Sequence, residues 1–378
     1  MKSSYSLPRW ADLVLLPLVC LGLALLAAAV VVLLVGQDPL RVIAVLIQGS
    51  LGSQRGLSYT LYYATTFIFT GLAVAVAFHA GLFNIGGEGQ AIMGGLGTGL
   101  AALYLSAVLP AWLMLPLMLV SGAFFGMVWA IVPAYLQAYR GSHVVITTIM
   151  FNFIASSALV YLLVNHLRPA GTMSVESVPF AASAKLPAVH EALSAVGIAW
   201  PSSPLNLSLF LALLACLGVY LFLWRTRGGY HLRAVGSSPG AAEYAGIKSR
   251  HQVMIAMSIS GALAGMVGMN EIAGVNGKLL LEFVSGAGFT GIAVSLMGRN
   301  HPLGIILASL LFGALFQGGA EVAFEVPGFS RDMVVMLQGF IVLFSGAMAY
   351  VFAPALAWCL AMLRPRAVAS APSGASNG

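Results

Sequence analysis

Ten apolar stretches, near 13–35, 59–79, 84–105, 109–136, 144–165, 206–224, 251–274, 284–299, 302–322 and 334–353, follow one another along the chain. Each is close to the roughly 20 residues that a helix needs to cross a bilayer. In hydrocarbon a segment must satisfy its own backbone hydrogen bonds, so apolar runs of this length predict helices rather than open strands. The expected fold is all-α: a polytopic transmembrane helical bundle of about ten spans, several of them broken by glycine, over residues 1–365. Two polar intervals interrupt the pattern. Residues 166–205 are rich in Pro, Ser and Ala, and residues 225–250 are the most basic segment. The low-complexity end, 366–378, is expected to be a disordered tail.

Composition agrees with this pattern. The chain is 60% hydrophobic and 7% charged, whereas a soluble domain carries about 25% charged residues to cover its surface. Its net charge of +6 is therefore read as a topology signal and not as a nucleic-acid footprint. With the amino terminus inside, the inner loops and termini hold eleven basic residues: Lys2, Arg9, Arg140, Arg225, Arg227, Arg233, Lys248, Arg250, Arg299, Arg364 and Arg366. The outer side holds six: Arg41, Arg55, Arg168, Lys185, Lys278 and Arg331. Both termini and 225–250 are then cytoplasmic, and 166–205 is periplasmic. The apolar run after Arg9 continues to Val35, too long for a signal peptide, and reads as an uncleaved first span. Cys20, Cys216 and Cys359 lie in separate apolar segments without metal-ligand spacing and read as small apolar filler.

Polar residues inside apolar segments mark the candidate chemistry. In Gly81-Leu82-Phe83-Asn84-Ile85-Gly86-Gly87-Glu88-Gly89-Gln90 the glycines weaken a helix while Asn84, Glu88 and Gln90 add polar groups. One reading is a broken helix beside a translocation path, with Glu88 needing a partner or a wet cavity. The other is an ordinary cytoplasmic turn with Glu88 solvated or capping. In 141–153, Thr148 and Asn152 stand one turn apart on one helix face. They either line a polar path or bond a neighbouring helix. Asn270 and Glu271 end a span whose Gly261, Gly265 and Gly268 suit close packing, and Glu271 faces either a central cavity or the interface. Ser285–Gly291, with Thr290, is a second candidate break. A Gly-broken segment precedes SGAFFG (121–126) and another precedes SLLFGA (309–314), running in opposite directions, as an inverted repeat would. In the basic loop, Ser238 as N-cap, Pro239 at the first helical position and Gly246 as left-handed stop predict a short surface helix fit to dock a soluble partner.

The motifs that are missing narrow the function. The sequence has no G-x-x-x-x-G-K-[ST], H-E-x-x-H or G-x-S-x-G, and its seven histidines are scattered. Nothing assembles an active site or a metal centre, so a transport role is expected, with no enzymatic activity and no cofactor of its own. A self-sufficient channel or ion-coupled transporter remains an open alternative at this point.

Together GLFNIGGEGQ (81–90), GSHVVITTIMFNFIA (141–155), RAVGSSPGAAEYAGI (233–247), SGALAGMVGMNEIAG (260–274) and GFTGIAVSLMGRNHPLG (288–304) resemble one family. They are similar to permease subunits of bacterial ABC importers in the branched-chain amino acid, sugar and nucleoside permease superfamily, and NIGxEGQ resembles the nucleoside-type branch. The resemblance implies a multi-pass protein of the bacterial cytoplasmic membrane that contacts lipid and no nucleic acid. It implies a second homologous permease as partner (a heterodimer, or a homodimer), a cytoplasmic ABC ATPase that binds the ATP, and a periplasmic or lipoprotein substrate-binding protein. It further implies that Ser238, Pro239, Ala241, Ala242, Glu243, Tyr244 and Gly246 form the helix that couples to the ATPase. The expected substrate is a nucleoside, with riboflavin or a simple sugar as the alternative. Two serines, Ser237 and Ser238, precede Pro239, where an Asn-Pro pair would be expected from relatives, and Ser caps as well.

Overall fold

The computed structural model describes residues 8, 11, 15–346 and 348–363; the expected tail and Lys2, Arg9, Arg364 and Arg366 lie outside them. In chain order the helices are α1 (Leu16–Leu34), α2 (Pro39–Leu51), α3 (Gln54–His79), α4 (Gly87–Leu105) and α5 (Ala111–Arg140). Next come α6 (Val144–Leu162), α7 (Val189–Ser194), α8 (Ser208–Arg225), α9 (Arg227–Ser237) and α10 (Pro239–Tyr244). The series ends with α11 (Ser249–Gly265), α12 (Ala287–Met297), α13 (Pro302–Glu325), α14 (Arg331–Gly346) and α15 (Met348–Leu363). Among the described residues the only β pairing is two isolated bridges, Glu176 with Leu280 and Ala188 with Asn206.

The chain divides into two compact units, 1–31 with 337–378, and 32–336. In the smaller unit α1 buries Leu16, Cys20, Ala24 and Ala28, one stripe at four-residue spacing. The larger unit holds every candidate residue.

Six helices among the described residues are long and apolar enough to cross a membrane: Gln54–His79, Ala111–Arg140, Val144–Leu167, Ser208–Arg225, Ser249–Asn276 and Pro302–Glu325. The ten expected stretches are thus not uniform spans. The 84–105 stretch starts its helix at Gly87, because the glycines before it favour irregular backbone. The 284–299 stretch yields only the 11-residue α12. The 251–274 stretch changes at Met269 to a π-helical turn that runs to Asn276. A helix not expected from the sequence, α2, starts at a good signal: Asp38 accepts from the Leu40 amide at 2.9 Å, and Pro39 follows.

The centre of the larger unit is α3. Its apolar window is 78% buried, against 22% for α5, so α3 is wrapped by other helices while α5 faces outward. Three of its buried hydroxyls are spent within the helix: Ser58 donates to the Gln54 carbonyl, Thr65 to Leu61 and Thr70 to Thr66.

On one side α4, α5 and α11 cross at glycine. A Cβ on Gly265 would overlap the Gly122 carbonyl, and one on Gly94 would overlap the Gly265 backbone. Backbones in lipid approach this closely only through small residues.

The two ends of this unit differ. At the basic end His79 Nε2 lies 3.0 Å from the Asn300 carbonyl, Gly81 lies against Gly236, and the Arg250 guanidinium sits 5.7 Å over the Tyr139 ring. Segment 225–250 is no loop here but two helices, α9 and α10. Thr226 caps α9 by accepting from the Gly229 amide at 3.1 Å, and α9 buries Leu232 and Val235. At the opposite end the 166–205 segment is folded onto the bundle. Trp200 donates to Ser58 at 2.8 Å, the Leu186 amide to Ala273 at 2.9 Å, and the Ser177 amide to Leu279 at 2.8 Å. Lys278 and Glu176 pair at 2.7 Å, and this hydrogen-bonded ammonium holds the Glu176 carboxyl below the usual carboxylate range.

Overpacking the glycine crossing costs about 1–3 kcal/mol. Gly265→Val is expected to lower the thermal midpoint in detergent by several degrees, whereas Gly218→Ala, where a Cβ meets nothing within 4 Å, leaves it unchanged. Thermal-shift fluorescence of the two purified variants checks the pair.

Candidate functional site

The candidate residues gather into two polar clusters inside the larger unit. The first forms where the chain leaves α3. Gly81 takes φ +75°, and residues 82–86 re-enter the bundle without helical hydrogen bonds. Such backbone is tolerated at membrane depth only if protein groups satisfy it, and Asn84 and Asn152 do so. The Asn84 carboxamide oxygen accepts from the Gly86 amide at 2.9 Å, and its NH2 donates to Gln90 Oε1 at 3.0 Å and Ser260 Oγ at 2.9 Å. Ser260 in turn donates to the Ala73 carbonyl of α3 at 2.6 Å. Asn152, from α6, accepts from the Gly89 amide at 2.8 Å and donates to the Ile85 carbonyl at 3.0 Å. The start of α4 is therefore held from both sides by carboxamides.

Glu88 completes this cluster. It lies in the first turn of α4, and its carboxylate accepts from the Gly286 amide at 2.9 Å and the Gly288 amide at 2.8 Å. Those amides open α12. The N-termini of α4 and α12 thus face each other, with the carboxylate between them. A Cβ on Gly288 would strike the Glu88 backbone, so only glycine lets the two ends come this close. Each N-terminus carries about half a positive charge, and a carboxylate there is at once capped and charge-compensated. This compensation lets a half-buried acid stay within the bundle without a basic partner. From Glu88, α4 and α12 run in opposite directions: Gly95 and Gly99 of α4 pack on Phe283 and Leu279, while α12 ends at Gly298 beside Gly304 at the basic end. Thr290, half-buried on α12, donates back to the Gly286 carbonyl at 3.3 Å.

The second cluster is built on the π-helical turn. That turn frees backbone groups and re-aims side chains, bringing Asn270 and Glu271 both inward. Glu271 is 7% exposed. It accepts from the Tyr62 hydroxyl, from Thr66 Oγ1 at 2.6 Å and from Asn270 Nδ2 at 3.3 Å. Asn270 also donates to Thr66 at 2.7 Å, and its oxygen accepts from Asn206 at 3.0 Å and Ser208 at 2.7 Å. Three elements, α3, the turn after α11 and the start of α8, are joined by one network.

Asn84, Glu88, Gln90 and Asn152 are therefore brought together, with Thr290 one turn into α12, whereas Glu271 belongs to a different cluster. Ser260, Tyr62, Thr66, Asn206 and Ser208 were not singled out from sequence. Tyr62 and Thr66 could have been: they stand one helical turn apart in an apolar span. Among the described residues no three His, Cys, Asp or Glu side chains come together as metal ligands would.

At the basic end the capped helix is present as α10. Ser238 accepts from the Ala241 amide at 3.4 Å, Pro239 opens the helix, and Gly246 at φ +79° closes it. Ala242 is buried beneath it, and Tyr244, 97% exposed, stands free on its surface.

The larger unit is thus a helical bundle with two facing half-helices and a capped helix at its basic end. The match to the family of branched-chain amino acid transport system/permease components covers residues 56–346, and the chain belongs to that family. It is 35% identical over 335 residues (87% of this chain, 86% of the relative) to the glucose ABC transporter permease protein TsgB13 of Haloferax volcanii. To the guanosine ABC transporter permease protein NupP of Bacillus subtilis it is 34% identical over 333 residues, covering 87% and 92%. To the nucleoside ABC transporter permease protein NupB of Lactococcus lactis it is 33% identical over 325 residues, covering 84% and 85%.

Loss of the Asn152 clamp leaves a buried amide and carbonyl unpaired, at about 1–3 kcal/mol each. Asn152→Ala is expected to reduce uptake at least ten-fold while the protein still inserts. Asn152→Asp, which keeps the acceptor but sets an acid oxygen against the Ile85 carbonyl, should not restore it. Uptake normalised to membrane-resident protein checks both.

Proposed function

We propose that this chain is the permease subunit of an ABC importer for nucleosides and moves its substrate by alternating access, powered by a separate ATPase. The observation that carries the reading is the pairing of the family match over residues 56–346 with a capped, exposed α10 that offers Tyr244 and Glu243 to a soluble partner. The guanosine and nucleoside relatives, at 34% and 33% identity over most of both chains, favour nucleosides. The glucose relative at 35% favours a sugar as the second reading.

In this reading the chain crosses a bacterial cytoplasmic membrane about ten times, counting α4 with its re-entrant start, α12 with the extended segment before it, and the first and last stretches. Both termini and α9–α10 face the cytoplasm, and 166–205 faces the periplasm, where a substrate-binding protein delivers its load. A second, related permease completes the path. The path passes the α4–α12 junction. Asn84, Glu88, Gln90, Asn152 and Thr290 shape its wall by fixing backbone positions, and the Glu271 network sets the outer half. ATP stays on the partner ATPase, whose closure moves α10 and shifts the balance between inward and outward states.

Reconstitution with its ATPase and binding protein should give ATP-dependent uptake of labelled guanosine that unlabelled nucleosides compete for and riboflavin and glucose do not. Tyr244→Ala should cut that uptake more than ten-fold with insertion and thermal stability unchanged. Uptake that proceeds without the ATPase would overturn the ABC reading, and competition by glucose alone would transfer the substrate assignment to a sugar.

A further inference from the structure

The basic end carries a groove that neither the helix packing nor the two polar clusters account for. It encloses about 740 Å³ and is lined by Tyr139 at the end of α5, by Glu243 and Gly246 of α10 and the turn after it, and by Lys248, Arg250 and His251 at the start of α11. We propose that this groove binds the headgroup of an anionic phospholipid. The proposal rests on the topology proposed above, in which the basic end lies on the cytoplasmic side of the membrane.

Three observations point to a lipid. The charge is unbalanced in favour of an anion, with Lys248, Arg250 and His251 against Glu243, and the first turn of α11 has no side-chain cap. Next, the groove opens on an aromatic step: Tyr139 stacks on Tyr135 with ring centroids 5.1 Å apart, and the Arg250 guanidinium lies over Tyr139. Tyrosine is enriched at membrane–water interfaces, and an arginine guanidinium both stacks on an aromatic face and pairs with phosphate. Finally, the step continues an apolar lane. Val120, Phe124, Val128 and Val132 are all exposed on α5 and share one stripe with Tyr135 and Tyr139. An acyl chain laid along that lane brings its phosphate to Lys248 and Arg250. A Lys or Arg held at an anionic leaflet raises occupancy about five-fold, and α10 and α11 share the groove, so lipid binding orders the segment between them.

Native mass spectrometry of the purified full-length permease, titrated with phosphatidylglycerol, phosphatidylcholine and inorganic phosphate, tests the site. The expected result is retention of phosphatidylglycerol over phosphatidylcholine, with no competition by millimolar phosphate. The double variant Lys248→Glu/Arg250→Glu should lose that retention at least ten-fold, while Arg227→Glu, an exposed charge change outside the groove, keeps it. A thermal melt matching the wild type shows that the double variant is folded; if it is not, Lys248→Gln with its smaller loss takes its place. Equal retention of both lipids, or retention unchanged in a folded variant, overturns the proposal. So does loss of ATPase association alone, which would make the groove a protein dock. Retention is measured on the permease without its partners, so failure of nucleoside uptake would count against the transport reading and not against this site.

Discussion

Two helix N-termini, those of α4 and α12, meet inside the bundle, and the carboxylate of Glu88 lies between them, accepting from the Gly286 and Gly288 amides. Uncompensated, the two ends would repel and leave orphan amides away from water. With the carboxylate in place each hydrogen bond is charge-assisted and worth about 1.5–3 kcal/mol. The rest of the site is arranged around this contact. Gly288 gives the clearance, Asn84 and Asn152 hold the backbone that delivers Glu88, and α6 and α3 are tied to that backbone through Asn152 and Ser260. A short chain of hydrogen bonds thus connects α6 and α3 with the start of α12.

The arrangement suits a transporter. Half-helices joined end to end can separate or tilt at their junction with the loss of a few hydrogen bonds, whereas a continuous span can only move as a rod. The Glu271 network ties α3 to the start of α8 and to the π-helical turn, and the 166–205 segment is folded on that turn and the residues after it through Leu186 and Ser177. The basic end carries α10. An input at either end reaches the α4–α12 junction through packed elements that share α3.

Much of this was legible in the sequence, for identifiable reasons. Helical class followed from run length, since lipid leaves an apolar segment little else to form. The α10 cap followed from Ser238, Pro239 and Gly246, whose local chemistry settles their conformation. The break at 81–86 followed from clustered glycine beside Asn84 and Glu88. What was not legible depends on partners distant in sequence. That Glu88 would meet amides 198 and 200 residues away has no local signal, and both the solvated-turn and path readings were open to it. Thr66 was hidden because a threonine hydroxyl in an apolar helix satisfies itself on its own backbone as readily as it bonds a carboxylate, and Tyr62 because a tyrosine in an apolar span reads as packing with a polar tip. The start of α12 at Ala287 falls in the break expected at Ser285–Gly291, whereas the π-helical turn was missed because hydropathy measures how apolar a stretch is and not how its helix is wound.

The central claim, that Glu88 holds the start of α12, is tested most directly by hydrogen–deuterium exchange of the peptide spanning 283–291 in wild type, Glu88→Asp and Glu88→Gln. The account predicts at least ten-fold faster exchange at the amides of Gly286 and Gly288 in Glu88→Gln, an intermediate rate in Glu88→Asp, and unchanged exchange around Tyr62 and Glu271. Exchange at 283–291 that is the same in all three proteins would contradict it.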